Sequence, residues 1–122
     1  MIFQMKKENK LDIEELGQGK IKFKGQWYNE SLILFNEEIL TPWLHPHVEK
    51  LQIEDFKFAL DTECELILLG TGLNQVFPNR YLTTEIYKQG KGIEVMDTVS
   101  ACRTYNVIKS EYRSVIAMLM MT

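Results

Sequence analysis

The apolar run Leu66-Ile67-Leu68-Leu69, halted at once by Gly70-Thr71-Gly72, constrains this chain more than any other feature. A half-exposed strand alternates polar and apolar residues, whereas an unbroken run closed by a tight turn suits a strand covered on both faces, as in parallel sheets. Parallel strands need crossover connections, and the sequence supplies them. Pro78-Asn79 offers an N-cap, Leu82 and Ile86 give one buried face, and Gly90 provides a stop, which predicts a helix of about ten residues. Gly92-Ile93-Glu94-Val95-Met96 reads as the next strand, and Asp97 is placed to cap a helix from about Thr98 to Lys109 with Ala101, Tyr105 and Ile108 on one face. Ser114 to Met120 is the last strand. Strand, helix, strand, helix, strand is the βαβαβ pattern, whose crossovers are right-handed and whose strands are parallel.

The first third has a different character. In Lys20-Ile21-Lys22-Phe23-Lys24 strict alternation predicts a strand with Ile21 and Phe23 inward and the lysines in water rather than a binding strip. Residues 31–35 form a second predicted strand, with Gly25, Trp27 and Tyr28 between the two, so this region is expected to be a β-meander that joins the core sheet or packs beside it. Thr41-Pro42-Trp43-Leu44-His45-Pro46-His47 carries two prolines and predicts an irregular excursion. From Leu51 onward Ile53, Phe56 and Leu60 fall at helical spacing. Residues 1–15 are expected to fray.

At 122 residues and 45% hydrophobic composition, one domain with a core of ordinary size is expected, without disulfide or metal staples. The formal charge of -3 gives no general attraction to phosphate backbones or anionic membranes, which argues against a nucleic-acid partner. The longest apolar run, Val115 to Met121, is seven residues, far short of the roughly 20 that a spanning helix needs, so no membrane insertion is expected. Cys64 and Cys102 form no CxxC pair, and no secretory signal pattern opens the chain; both features point to a reducing, cytoplasmic setting.

Ligand crevices of open parallel sheets lie outside the carboxyl ends of the strands. That rule selects Gly70-Thr71-Gly72 and Asp97-Thr98, which should emerge on one edge. The glycine-flanked turn is either a purely structural exit from a buried strand or an anion cradle of backbone amides. It lacks the third glycine and the lysine of nucleotide fingerprints, and no cofactor is expected. Asp97 serves equally as a helix cap or as a site carboxylate. Arg103 and Asn106 share a helix face with Val99, where they meet either a ligand or solvent, and Glu111 and Arg113 bracket the turn into the last strand. Cys102, near a helix N-terminus, lacks a histidine close by in sequence. His45 and His47 lack a third ligand, so no metal is expected. No GxSxG, HExxH or paired-carboxylate pattern completes a catalytic set.

Taken together, Gly70-Thr71-Gly72 after its strand, Gly92-Ile93-Glu94-Val95-Met96-Asp97-Thr98, Ala101-Cys102-Arg103-Thr104-Tyr105-Asn106, and Glu111 with Arg113 resemble a small domain-of-unknown-function family. That family includes mitochondrial respiratory complex I assembly factor 3 and the adipogenesis-associated domain protein. The resemblance covers about residues 20–120 and implies a three-layer α/β fold with a central mixed, mostly parallel five-stranded sheet and an additional β layer. Its characteristic residues fall on Gly70, Gly72, Asp97, Thr98, Arg103, Asn106, Glu111 and Arg113, while Tyr112 stands where a small residue is usual. The resemblance implies assembly or regulatory partners and no established catalysis. Two functions are therefore expected in competition: a non-catalytic interaction module with a protein partner, or a binder of a small anionic ligand, even an enzyme, with its site at the carboxyl edge. Oligomeric state is left open.

Overall fold

The computed structural model describes residues 13–17, 19–43, 47–111 and 114–121. Two sheets organise it. The smaller is an antiparallel meander of β1 (Ile13–Gly17), β2 (Lys20–Phe23) and β3 (Gln26–Tyr28). After it come β4 (Leu32–Phe35) and β5 (Glu38–Leu40), then 3-10 turns at Val48–Lys50 and Ile53–Phe56 that lead into α1 (Lys57–Asp61). The remainder alternates β6 (Leu66–Gly70), α2 (Arg80–Lys88), β7 (Gly92–Met96), α3 (Thr98–Ser110) and β8 (Val115–Leu119).

The larger sheet has the order β5-β4-β8-β6-β7. β6 pairs in parallel with β7 and with β8, and β4 runs antiparallel to both β8 and β5. Four of its strands therefore point one way and β4 the other, so the sheet is mixed and mostly parallel, as expected. The first third does both of the things expected of it: β1 to β3 pack beside the core, while β4 and β5 extend it.

Both faces of this sheet are covered, which is why β4, β6 and β8 read as unbroken apolar runs. On one face Ile33, Ile67, Leu69, Ile116 and Met118 pack with Phe56, Ala59, Leu82 and Ile86. Leu32, Leu34, Leu68, Ala117 and Leu119 point the other way, against Ala101, Cys102 and Tyr105 of α3 and against Ile13, Ile21 and Phe23 of the meander. The prolyl excursion is held by Trp43, whose backbone N–H donates to Ser31 O at 2.9 Å and whose indole N–H donates to Asp55 O at 3.2 Å. Its ring meets Phe56 edge-on at 6.1 Å. Cys64 and Cys102 are unbridged thiols on opposite sides of the sheet.

Side chains cap the sheet margins. Asn106 of α3 treats β1 as a neighbouring strand would: its Oδ1 accepts from Ile13 N at 3.1 Å and its Nδ2 donates to Ile13 O at 3.0 Å. At the opposite end, the carbonyls of Ile93 and Val95 on edge strand β7 accept from Tyr87 Oη and Gln75 Nε2, each at 3.0 Å. On the meander's outer surface Lys22 pairs with Glu15 at 3.5 Å and Lys24 with Glu37 at 3.6 Å, so the lysine alternation belongs to a solvated face.

Because Asn106 satisfies both backbone groups of Ile13, Asn106→Ala is expected to cost about 1–3 kcal/mol. Amide exchange at Ile13 should accelerate more than exchange in β6 or β8. Equal acceleration across both sheets would show that the meander is not held at this point.

Candidate functional site

Parallel pairing brings the ends of β6, β7 and β8 to one edge, with Gly70 opposite Met96 and Leu119. Thr71 N donates to Met96 O, Met120 N to Gly70 O and Thr98 N to Gly72 O, each at 2.9 Å. Across these runs the Thr98 hydroxyl, which accepts from Gly72 N at 2.8 Å and donates to Met120 O at 2.7 Å. One buried oxygen thus ties together the exits of all three strands. The residues around it are fitted to that approach. A Cβ on Gly70 would stand 2.9 Å from Thr98 Oγ1 and 3.0 Å from Thr98 Cα, closer than real contacts allow, and Gly72 adopts φ 96°, a region that favours glycine. Thr71 is nearly as occupied: its hydroxyl lies 2.6 Å from Asn74 O and accepts from Val76 N at 3.1 Å.

The amides that an anion cradle would need from Thr71 and Gly72 are therefore turned inward and engaged. Asp97 is the cap of α3. Its carboxylate accepts from Ser100 N at 2.8 Å and from the Ser100 hydroxyl at 2.9 Å, and these bonds, with a small contribution from the Arg103 charge, hold its pKa below the usual carboxylate range. Arg103 is exposed on α3, Asn106 is engaged with β1, and Glu111 follows the last turn of the helix. α3 has 13 residues, which sets Glu111 about 20 Å from Asp97 along the axis. The sequence candidates thus divide. Gly70, Thr71, Gly72, Asp97 and Thr98 gather at the carboxyl edge, while Asn106 and Glu111 stand away from it; Arg113 and His45 lie outside the described residues. His47 is exposed beside a 3-10 turn. Among the described residues no three His, Cys, Asp or Glu side chains gather to hold a metal. Cys102 is fully buried, and desolvation, with Asp97 adding its charge, pushes its thiol up to about 12, far from a nucleophile's range.

What the edge offers instead is apolar surface. A groove of about 380 Å³ runs between the meander and the strand exits. Leu16, Gly17, Lys20 and Ile21 form one wall, and Gly72, Leu73, Val99 and Met121 form the other. The loop after β6 then carries Leu73 and Phe77, and the first turn of α2 carries Tyr81; they are 74%, 67% and 77% exposed. Tyr81 also borders a second groove of about 320 Å³ with Leu51, Gln52 and Glu85. Sequence reasoning passed over these residues. The available signal was the apolar pair Leu73 and Phe77 in a stretch without helical or strand period.

Two predictions follow from the strand-exit bonds. Thr98→Val leaves Gly72 N and Met120 O buried without partners and should lower stability by about 1–3 kcal/mol in urea titration. Thr98→Ser keeps the hydroxyl and should lose only about 1 kcal/mol for its methyl group; equal losses in the two variants would assign the effect to packing. Asp97 gives a pH signature. Its depressed pKa stabilises the fold fully above the unfolded carboxyl value near 3.9, and that contribution is lost as pH falls through the lower folded value. The stability difference between the wild type and Asp97→Asn should therefore be flat from about pH 7 to 5 and shrink below about pH 4. A difference independent of pH would remove the capped carboxylate from the account.

The comparisons with known proteins fit this architecture. The chain is 33% identical over 89 residues to the 13 kDa major membrane protein of Francisella tularensis subsp. holarctica (strain LVS), a match covering 72% of each chain. It is 36% identical over 62 residues to NADH dehydrogenase (ubiquinone) 1 alpha subcomplex assembly factor 3 of Danio rerio, covering 51% of this chain and 36% of that protein. A Xanthomonas campestris protein solved by NMR superposes with a TM-score of 0.81 at 30% identity, covering 92% of this chain and 85% of that one. No described helix is long and apolar enough to cross a membrane. A family model described as "Protein of unknown function (DUF498/DUF598)" matches residues 13–120, and the chain belongs to that family.

Proposed function

We propose that the protein is a non-catalytic interaction module of assembly type, which holds a protein partner against the carboxyl edge of its parallel strands. One observation carries this reading. Leu73, Phe77 and Tyr81 project from a single loop and helix start at an edge whose polar turn groups are already engaged. A loop and helix start that expose three large apolar side chains gain nothing in folding from their size, whereas a contact surface does. The groove bordered by Tyr81 extends the surface. The Danio rerio relative, named as an assembly factor, supports the same reading through family membership. A cytoplasmic setting is part of the proposal and is supported by the two unbridged thiols.

Affinity capture with the wild type and with a Phe77→Ser, Tyr81→Ser double variant tests it. Both residues are exposed, so the variant should match the wild type within about 0.5 kcal/mol of stability. A partner enriched by the wild type and lost from the variant is the expected result. Indistinguishable captures from the two would remove this loop from the function.

A further inference from the structure

We propose that the groove between the meander and the strand exits binds a single-chain amphiphile with a carboxylate head, such as a medium-chain fatty acid. This goes beyond the protein-contact reading and uses a neighbouring surface, the groove, which shares Leu73 with the exposed loop crest but neither Phe77 nor Tyr81. Its volume of about 380 Å³ falls within the range of about 300–1,000 Å³ typical of small-molecule sites. Apolar side chains from four segments, Leu16, Ile21, Val99 and Met121 among them, line it. The polar group in its wall, Thr98, is closed to a ligand because its hydroxyl already holds Gly72 N and Met120 O.

Charge selects the head group. Among the described residues lining the groove, Lys20 is the one that carries charge, and no carboxylate opposes it. Its aliphatic stem lies along Gly17, where an added Cβ would meet Lys20 Cε at 3.0 Å, and its ammonium stands 4.8 Å from the centre of the Trp27 ring. Lys22 and Lys24 each have a carboxylate partner, whereas the ammonium of Lys20 rests on an indole. An exposed cation–π contact is weak, so the ammonium can leave the ring for a carboxylate, whose charge-assisted hydrogen bond is the stronger interaction. An amphiphile with its chain along the groove and its head at Lys20 satisfies both halves of the surface. A cationic head would meet a like charge there.

The test is a titration of the ¹⁵N-labelled protein with decanoate, decanol and decyltrimethylammonium, each below its micelle concentration. Saturable shifts at Gly19, Leu73, Val99 and Met121 are expected, with decanoate binding about tenfold tighter than decanol and the cationic amphiphile weakest. Lys20→Met keeps an apolar stem and should equalise decanoate and decanol, while Val99→Trp should abolish both. Thermal unfolding of each variant confirms that it is folded. Three outcomes overturn the proposal: no saturable shift at those amides, equal affinity for decanoate and decanol in the wild type, or a decanoate preference that survives Lys20→Met. None of them touches the partner-capture result, which is read at Phe77 and Tyr81.

Discussion

The hydroxyl of Thr98 stands where three parallel strands leave the sheet, and the carboxyl edge takes its shape from it. By accepting from the turn after β6 and donating to the end of β8, it fixes the first residue of α3 against both. A buried backbone group without a partner costs more than a made hydrogen bond contributes, so this junction tolerates few alternatives. Gly70 is small because Thr98 Cα must come close, and Gly72 turns left-handed because the chain must present its amide to that oxygen. A turn that looks like a ligand cradle in sequence is a knot of internal bonds, and the groove at this edge lies in the apolar ground beside it.

That division separates the groups that hold this sheet edge from the groups it exposes. Polar groups of the strand exits face inward and hold the geometry. Apolar groups of the flanking segments, Leu73 and Val99 above all, face outward beside these bonds. The meander completes the groove from the other side, held to α3 by Asn106 and by the packing of Ile13, Ile21 and Phe23 on Tyr105 and its neighbours.

Much of the core was legible in the sequence, because in the second half cap, period and stop agree. Asn79 and Asp97 both cap through their side chains at the positions expected, and Gly92–Met96 forms the strand read from its residues. The misses have physical causes. β1 carries Glu14 and Glu15 at its centre, and β3 is a three-residue strand whose Trp27 faces water, so neither shows a local period. β4 resembles β6 in composition, yet it leaves the meander to pair with β8 through Leu32 and Leu119, a long-range choice that no window of sequence contains. The edge residues were placed correctly by the rule for parallel strands, but the groove was invisible because Leu16 and Lys20 reach it from a sheet distant in the chain.

The side chains that close the sheet margins set a limit on how this protein meets others. With Tyr87 and Gln75 on the carbonyls of β7, and Asn106 on both groups of Ile13, an incoming extended peptide finds those backbone positions already taken. Strand donation is obstructed at these positions, and so is the runaway stacking to which bare rims are prone. A partner approaching at these positions meets side chains, so relief and charge take the place of bare backbone there.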